Sequence, residues 1–388
     1  MSKIINARSP YYLKYRNNTN TLTQVELQLK IWNGLLSNVP TDVAYTLTKK
    51  PLVQEVGNYV VFEISEIIRD YIETEYFDVA IDAVWVEVKD YKTFVNSQAP
   101  IVGENEYLAT DGYGLFGAGV NPRTSTDAST LNFTPMVLQT NKCIQFVRGR
   151  DIKIPVFSEY EPTIQTDIPL GVWNYVDDFW ENSDPLWNQT STDLDIVDSD
   201  DSADKIQYVV ISTDNAVTGD TITFTSTTGA LQTTTITIEE VCEPRYDAFR
   251  SIFYNRYGAL QTFWFPKKST KTNIIKNEQY NANTIVFDNG PVKYSTEKHM
   301  TKRFNVIGRN AINLNTSLLQ ECYNVAVKDL LLSEQVWLEY PTSPTNLATT
   351  PVIIQTKNLV DKTSANDKAL IQYNIDFEFA FETINNVR

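Results

Sequence analysis

Alternating apolar and polar residues dominate the first hundred positions of the chain. Val25, Leu27, Leu29 and Ile31 fall on one face of a predicted strand, and residues 82–92 repeat the pattern. Three more segments alternate in the same way: residues 11–15, 43–48 and 59–64. Five short strands joined by polar turns predict a β-sandwich of immunoglobulin-like or fibronectin-like type over residues 1–98.

One predicted helix interrupts these strands. Ser65 stands where a helix cap is expected, and Ile67, Ile68, Tyr71 and Ile72 then form a single apolar stripe at helical spacing. A helix with one apolar stripe needs a surface to cover. The pattern therefore predicts a short helix that lies as a lid on the sandwich.

Residues 99–135 are predicted to be a connecting arm. Their centre, residues 111–122, holds four of the fourteen glycines of the chain. The glycines resemble a phosphate-binding loop only superficially, because no Gly-Lys-Ser/Thr ending and no strand-then-helix context accompany them. We interpret the segment as a packed linker anchored by Tyr113 and Phe116.

Strand patterns return in residues 136–245, which predict a second β-sandwich. Thr and Ile alternate over residues 221–225 and 233–238, as in a half-buried sheet. A tryptophan-rich insertion interrupts this module, with Trp173, Trp180 and Trp187 at seven-residue intervals. Prolines and a glycine nearby argue against one long helix, so we interpret the tryptophans as loop anchors.

Residues 246–388 mix strands with a helix and predict an α+β domain, in which a helix lies on an antiparallel sheet. The helix is predicted over residues 317–332, with Thr316 or Ser317 as its cap. Its expected buried side is an apolar stripe of Leu318, Leu319, Cys322, Tyr323, Ala326, Leu330 and Leu331. The chain is thus predicted to be mainly β, with immunoglobulin-like sandwich modules followed by this domain.

An aromatic segment, residues 246–266, is the feature around which the rest of the chain is predicted to be organised. It predicts a hairpin with arms at 249–254 and 259–265, and Gly258 supplies the positive φ of the turn. The aromatic residues fit two interpretations. The hairpin belongs to the core, or one of its faces packs on a neighbouring subunit, since aromatic residues concentrate at interfaces. The candidate interface residues are Tyr254, Tyr257, Phe263, Trp264 and Phe265. In either case, we expect the hairpin to join two halves of the protein.

Composition and charge narrow the classes of partner that the chain is expected to bind. The chain of 388 residues has a net charge of −15, so it would repel nucleic acid and anionic lipid over a broad surface. No window is apolar enough to span a membrane, and the first ten residues lack the apolar region of a secretory signal. We expect no specific nucleic-acid binding and no membrane partner.

Candidate chemistry is sparse. His299 is the only histidine and lies among basic residues, which argues against a catalytic triad. No motif predicts a cofactor or a metal, so we expect no enzyme activity. Cys143, Cys242 and Cys322 are widely spaced, and we interpret them as free thiols formed in a reducing compartment.

Charged runs give two weaker hypotheses. The acidic loop of residues 193–204 offers oxygen ligands for a divalent ion but lacks the spacing of an EF-hand, so we interpret it as solvated. Two basic clusters stand out on an acidic chain: Lys267, Lys268 and Lys271, and Lys298, Lys302 and Arg303. They are either solvated faces or contacts with the acidic flank of a neighbouring copy.

Six short segments have a familiar wording: residues 7–13, 62–72, 255–261, 330–338, 359–363 and 373–380. They resemble segments of virion structural proteins of tailed bacteriophages, and in particular the tail-region proteins of crAss-like phages. This resemblance implies a tail hub or connector ring subunit around the DNA path. It also implies assembly in the bacterial host cytoplasm, a homo-oligomer, and contacts with other virion tail or connector proteins.

Two other classes of function remain open. A receptor- or glycan-binding adhesin or fibre-base protein would use exposed aromatic loops, for which Trp173, Trp180 and Trp187 are the candidates. A polysaccharide hydrolase would need a carboxylate pair in a cleft. Subunit number separates the classes, because a hub forms a closed ring, an adhesin is typically a trimer or monomer, and an enzyme needs no ring.

Overall fold

The computed structural model describes residues 3–19, 21–34, 36–53, 57–73, 83–95, 97, 99–115, 123–124, 136–157, 163–168, 174–175, 193–195, 206–226, 232–241, 246–286, 289–341, 347–359 and 371–383. The protein is mainly β, with 58% of the described residues in strands and 6% in helices, which confirms the broad fold class predicted from the sequence. Within those ranges, no helix has the length and apolar character needed to cross a membrane.

The first third of the chain forms two sheets that share one core. The elements are β1 (Lys3–Asn6), β2 (Tyr11–Asn17), β3 (Leu22–Trp32), β4 (Tyr45–Lys49), β5 (Leu52–Val53), β6 (Asn58–Glu63), α1 (Ser65–Arg69), β7 (Ala83–Phe94), β8 (Ile101–Thr110) and β9 (Arg123–Thr124). One sheet has the order β1-β8-β7-β3-β4 and the other β5-β6-β2-β9. Val25, Leu27 and Leu29 of β3 pack in the same core as Leu13 and Phe62 of the second sheet. The alternation of β3 therefore buries one face, as the sequence predicts.

Helix α1 packs on this core, but its cap differs from the prediction. Ile68 is buried in the core, and Ile67, Tyr71 and Ile72 pack against it, so the predicted lid is confirmed. Ser65 is the first helical residue, and the helix has no side-chain cap. The Ser65 hydroxyl instead donates to the carboxylate of Glu63.

The predicted boundary at residue 98 is wrong. Strand β8 pairs with β7 from Ile101 to Thr110 and with β1 from Tyr107 to Thr110, so these residues belong to the first sheet and not to a connecting arm. Tyr107, Leu108 and Ala109 are buried, and their burial stabilises the pairing. The glycine-rich segment that suggested a linker begins only after this strand, and Phe116 lies outside the described residues.

A second group of strands follows. Its elements are β10 (Cys143–Phe146), β11 (Ile152–Phe157), β12 (Thr163–Thr166), β13 (Asn174–Tyr175), β14 (Asp193–Asp195), β15 (Ile206–Ile211), β16 (Thr221–Ser226) and β17 (Gln232–Glu240). The sheets have the orders β11-β15-β13 and β10-β17-β16-β12-β14. Their core continues into the first group through Trp32, Trp85 and Leu108. Trp173, Trp180, Trp187 and most of the acidic loop lie outside the described residues.

The last third of the chain forms a seven-stranded antiparallel sheet with a helix on it. The elements are β18 (Phe249–Tyr254), β19 (Leu260–Phe265), β20 (Thr270–Asn281), β21 (Ile285–Val286), β22 (Lys293–Tyr294), β23 (Thr301–Asn315), a 3-10 turn (Glu321–Tyr323), α2 (Asn324–Leu332), β24 (Val336–Pro341), β25 (Leu347–Ile354) and β26 (Asn374–Glu382). The sheet order is β19-β18-β24-β25-β26-β23-β20. Ala326, Val327 and Leu330 of α2 pack with Phe265 and Phe377 of the sheet.

The helix begins later than predicted. Leu319 exchanges two backbone hydrogen bonds with Ile371, at 2.7 and 2.8 Å, so residue 319 is held in an extended pairing and cannot start a helix. Thr316 does not cap the helix either, because its hydroxyl accepts a hydrogen bond from the Tyr373 N–H at 2.9 Å. Leu318 is 56% exposed and is not part of the buried stripe.

Two of the three cysteines are joined, which corrects the prediction of free thiols. Cys143 of β10 and Cys322 of the 3-10 turn form a disulfide with a Cα–Cα distance of 6.2 Å, across 179 residues of sequence. It covalently ties the second group of strands to the last. The expectation of a reducing compartment rested on free thiols and loses that support. Cys242 lies outside the described residues.

Candidate functional site

The aromatic hairpin lies inside the chain. β18 and β19 pair antiparallel, from Phe249 opposite Phe265 to Tyr254 opposite Leu260, which confirms the predicted hairpin. Phe263 stacks edge-on to Tyr323, with ring centroids 6.2 Å apart. On the other face, the Arg250 guanidinium lies over the Trp264 ring, 5.4 Å from its centroid. The second arm is therefore covered on both faces.

Four of the five candidate interface residues fill the core of the chain itself. Phe263, Trp264, Phe265 and Tyr254 are at most 7% exposed. Tyr257 is half-buried and packs against the second group of strands. This burial fits the core interpretation of the hairpin. A contact between copies through these residues is not tested by a single chain and stays a prediction.

The turn of the hairpin is fixed by Asn255. This residue is fully buried. Its amide oxygen accepts from the N–H groups of Tyr257 at 2.9 Å and Ala259 at 3.3 Å. Its amide nitrogen donates to the Leu138 carbonyl at 2.7 Å and to Gln261 at 3.0 Å. One side chain therefore shapes the turn and ties it to the second group of strands.

The same turn presses against the end of β8 in the first group. Gly258 has φ +74°, and a Cβ there would lie 2.7 Å from the Thr110 Cβ. The Tyr113 N–H donates to the Arg256 carbonyl at 2.8 Å, and the Thr110 hydroxyl donates to the Tyr257 carbonyl at 2.7 Å. The hairpin thus contacts both earlier groups of strands, which confirms the expectation that it joins parts of the protein.

A buried ionic cluster lies beside this turn. Asp329 of α2 is fully buried. Arg256 donates to both of its carboxylate oxygens, at 2.7 and 3.0 Å, and the Tyr113 hydroxyl donates to one of them at 3.0 Å. Burial, together with the Asp329 carboxylate, raises the pKa of Tyr113 well above its ordinary value. The phenol therefore stays protonated and serves as a hydrogen-bond donor.

A second layer of charge surrounds this cluster at the surface. Arg69 contacts Asp111 at 3.3 Å and Glu334 at 2.7 Å, and Arg8 contacts Glu334 at 3.1 Å. Burial raises the pKa of Asp111, and Arg69 and Arg8 oppose that shift. These side chains come from β-strand groups at opposite ends of the chain. We name Arg8, Arg69, Asp111, Tyr113, Arg256, Asp329 and Glu334 the junction cluster.

Little in the sequence predicts the junction cluster. Asp329 stands beside Leu330 on the helix, and a charge next to a buried position is the only signal present. Its partner Arg256 lies in the hairpin turn, and our interpretation of that turn rested on the positive φ of Gly258. The cluster pairs each carboxylate with a guanidinium, so its chemistry is that of a structural lock between segments.

The main exposed feature lies at the opposite edge of the seven-stranded sheet. β20 and β23 continue past the sheet as a two-stranded ribbon, because among the described residues β26 pairs with β23 only from Arg309 to Asn315. The ribbon ends in the short hairpin of β21 and β22. We name residues 267–309 the basic ribbon, which comprises this projection and the start of β20, where β20 still pairs inside the sheet. Residues 287 and 288 lie outside the described part.

The basic ribbon contains both basic clusters that the sequence singled out, at different positions along its length. Lys271 lies on β20 opposite Ile312, inside the sheet, whereas Lys302 and Arg303 lie on the projecting part of β23, opposite Tyr280 and Gln279. His299 lies on the same ribbon and is exposed, so it is a surface residue as predicted. In the part of the chain that the structure describes, no group of three His, Cys, Asp or Glu residues is arranged to hold a metal ion.

A cleft of about 310 Å³ opens between β2 and the ends of β7 and β8. Its floor is the buried carboxylate of Asp90, which Lys92 contacts at 2.9 Å. Burial raises the pKa of Tyr107, at its wall, to about 12. Lys92 thus pairs with the one carboxylate of the cleft lining, and the cations Lys14 and Arg16 also line the cleft. No protein-family model matches this chain, and no curated protein matches it.

Proposed function

We propose that this protein is a non-enzymatic structural subunit of a tailed-phage virion. In this proposal it is a tail hub or connector ring protein that acts by oligomeric assembly around the DNA path. Its partners are further copies of itself and other tail or connector proteins. The finer fold is part of the same proposal: immunoglobulin-like sandwiches followed by an α+β domain. The phrases that resemble tail-region proteins of crAss-like phages support it.

The observation that carries the proposal is the projecting basic ribbon. Two-stranded hairpins are marginally stable in water by themselves. The ribbon also exposes large apolar side chains, including Val292 at 65%, Tyr294 at 80% and Met300 at 65%. Such a surface gains stability when another molecule covers it. An assembly subunit provides that cover in its functional state.

The junction cluster supports a structural role over a catalytic one. Its carboxylates are held by guanidinium groups, as in Arg256–Asp329 at 2.7 Å, and a paired carboxylate is a poor general base at neutral pH. A rigid connection between strand groups suits a subunit that must keep its shape within an assembled particle. The net charge of −15 also suits a protein near a DNA path, because it repels passing phosphates.

Subunit number tests the proposal directly. Mass photometry and negative-stain electron microscopy of the purified chain are expected to show closed rings of many copies. The same chain is expected among the proteins of purified phage particles by mass spectrometry. A stable monomer at high concentration, together with its absence from particles, would contradict the proposal. A trimer with glycan binding would favour the adhesin alternative.

A further inference from the structure

We propose that the basic ribbon is the assembly contact of the protein, and that it docks on the acidic surface of a second copy of this chain. This inference rests on the proposed function only in assuming that the chain self-associates. It adds which element makes the contact and which force selects its partner.

The charges of the chain are segregated between the ribbon and the rest. Residues 267–309 hold nine of the 33 Lys and Arg residues but only three of the 48 Asp and Glu residues. The ribbon thus carries a net charge of +6, and the remaining residues carry −21. A second copy therefore offers a complementary charge to every ribbon.

Four of the ribbon cations form no ion pair among the described residues. Lys271, Lys276, Lys302 and Arg303 are all exposed, and they form no ion pair with any other described residue. Arg309, where the ribbon leaves the sheet, contrasts with them because it contacts Glu378 at 3.2 Å. Lys276, Lys302 and Arg303 lie beyond that point, and Lys271 lies on the exposed edge strand of the sheet, opposite Ile312; all four are available to a partner.

The backbone of the projecting ribbon can gain stability by pairing with another chain. Beyond Gly308, residues 276–281 and 301–307 pair only with each other among the described residues. Six residues of β20 and seven of β23 project about 20 Å at about 3.3 Å per residue. Within the part of the chain that the structure describes, no strand pairs with either outer edge of this projection, and such edges are templates for contact with another chain.

Apolar side chains mark the contact face. Tyr280 and Phe304 stack edge-on, with centroids 5.6 Å apart, although they are 48% and 44% exposed. Lys302 lies opposite Tyr280 in register, so cation and aromatic rings share one face. Aromatic residues ringed by charge are typical of the centre of a protein interface.

A second copy is favoured over nucleic acid as the occupant. The body that carries the ribbon has a charge of −21 outside it, which repels a polyanion approaching the same molecule. For a second copy, the same negative charge is the attraction. DNA binding is therefore the competing outcome that the experiment must exclude.

The test reverses four ribbon charges at once: Lys271→Glu, Lys276→Glu, Lys302→Glu and Arg303→Glu. The matched control reverses four other exposed lysines that make no described ion pair: Lys50→Glu, Lys142→Glu, Lys328→Glu and Lys357→Glu. Both proteins change net charge by the same amount. Circular dichroism checks that each is folded, and sedimentation velocity measures association at about 0.15 M and about 1 M NaCl.

We expect the ribbon variant to associate at least about tenfold more weakly than wild type, and the control to stay within about threefold. Wild-type association is expected to weaken at about 1 M NaCl, where screening shortens the Debye length to about 3 Å. If wild type and both variants assemble equally, the ribbon inference is wrong and the proposed function stands. If wild type is monomeric at every concentration, the proposed function fails first.

DNA binding by the ribbon is tested by fluorescence anisotropy of a labelled DNA duplex at low salt. We expect no binding by wild type. Binding that the ribbon variant loses while keeping its oligomeric state would overturn the inference in favour of a nucleic-acid contact. The salt titration of wild type keeps the test valid even if the fourfold variant unfolds, because it needs no mutation.

Discussion

Arg256 and Arg303 carry the same charge in opposite settings. Arg256 is held by both oxygens of the buried Asp329 carboxylate, whereas Arg303 projects from the basic ribbon without an ion pair among the described residues. This contrast shows that one chain uses charge in two ways. A paired buried charge fixes how segments of the chain meet, and an unpaired exposed charge is left for another molecule.

The two regions also differ in backbone support. Around the junction cluster, the hairpin turn contacts the first group of strands through Tyr113 and Thr110 and the second through Asn255. Past Gly308, the two strands of the ribbon pair only with each other among the residues that the structure describes. Mutations in the junction should therefore act on folding, and mutations in the ribbon should act on association.

The largest effect is expected from Asp329→Ala in the junction cluster. Arg256 would then keep a partly buried charge without its partner, which typically costs about 3–5 kcal/mol of folding free energy. Chemical denaturation followed by circular dichroism measures the loss. Lys328→Ala, at an exposed position of the same helix, is the control and should change stability by less than about 0.5 kcal/mol. A wild-type denaturation curve for Asp329→Ala would mean that the cluster does not hold the fold.

A smaller effect is expected from removing the disulfide. The pair Cys143→Ser with Cys322→Ser opens a link across 179 residues, and loss of such a link typically costs about 2–4 kcal/mol. Thermal unfolding with and without a reducing agent provides an internal control. The reductant should lower the melting temperature of wild type and leave the double variant unchanged. Equal sensitivity of both proteins to the reductant would show that the bond is not formed in solution.

The elements that follow from local pattern were predictable, and those that depend on distant partners were not. Alternation placed β3 and β7 correctly, because a half-buried strand leaves its period in the sequence. The same logic overextended α2 to Ser317, since pairing between Leu319 and Ile371 leaves no local trace. At Leu319, backbone pairing with a residue 52 positions away prevails over the helical pattern of the local sequence.

Long-range pairing also explains the other differences. Cys143 and Cys322 have no spacing that marks them as partners, and only the fold brings their Cα atoms within 6.2 Å. The two basic clusters were visible as composition, but their position on a single ribbon depends on the register of β20 and β23. Asp329 was missed because a buried charge becomes interpretable only when its partner is known.

A local effect is expected at the base of the free ribbon. Asn305 has φ +47° at a bulge between the pairs at Lys276 and Glu278. Asn tolerates this left-handed conformation better than most residues, so Asn305→Ala should cost about 1–2 kcal/mol. The loss should appear as faster amide hydrogen exchange in the ribbon. Asn305→Gly is the control and should leave exchange close to wild type, because glycine adopts positive φ without strain. Equal exchange in the Ala variant would show that the bulge is absent in solution.

The smallest effect on folding, and the sharpest contrast with the junction, is expected from Tyr280→Ser with Phe304→Ser. The two rings contact each other and solvent, so their loss should lower folding stability by less than about 1 kcal/mol. Their loss from an interface centre should weaken association by about tenfold or more. Sedimentation velocity and thermal unfolding of the same preparation measure both quantities. Tyr246→Ser, at an exposed aromatic residue outside the ribbon, is the control and should leave association unchanged. If the ribbon pair lowers the melting temperature as much as Asp329→Ala does, the rings serve the fold, and the division between a structural junction and an assembling ribbon no longer holds.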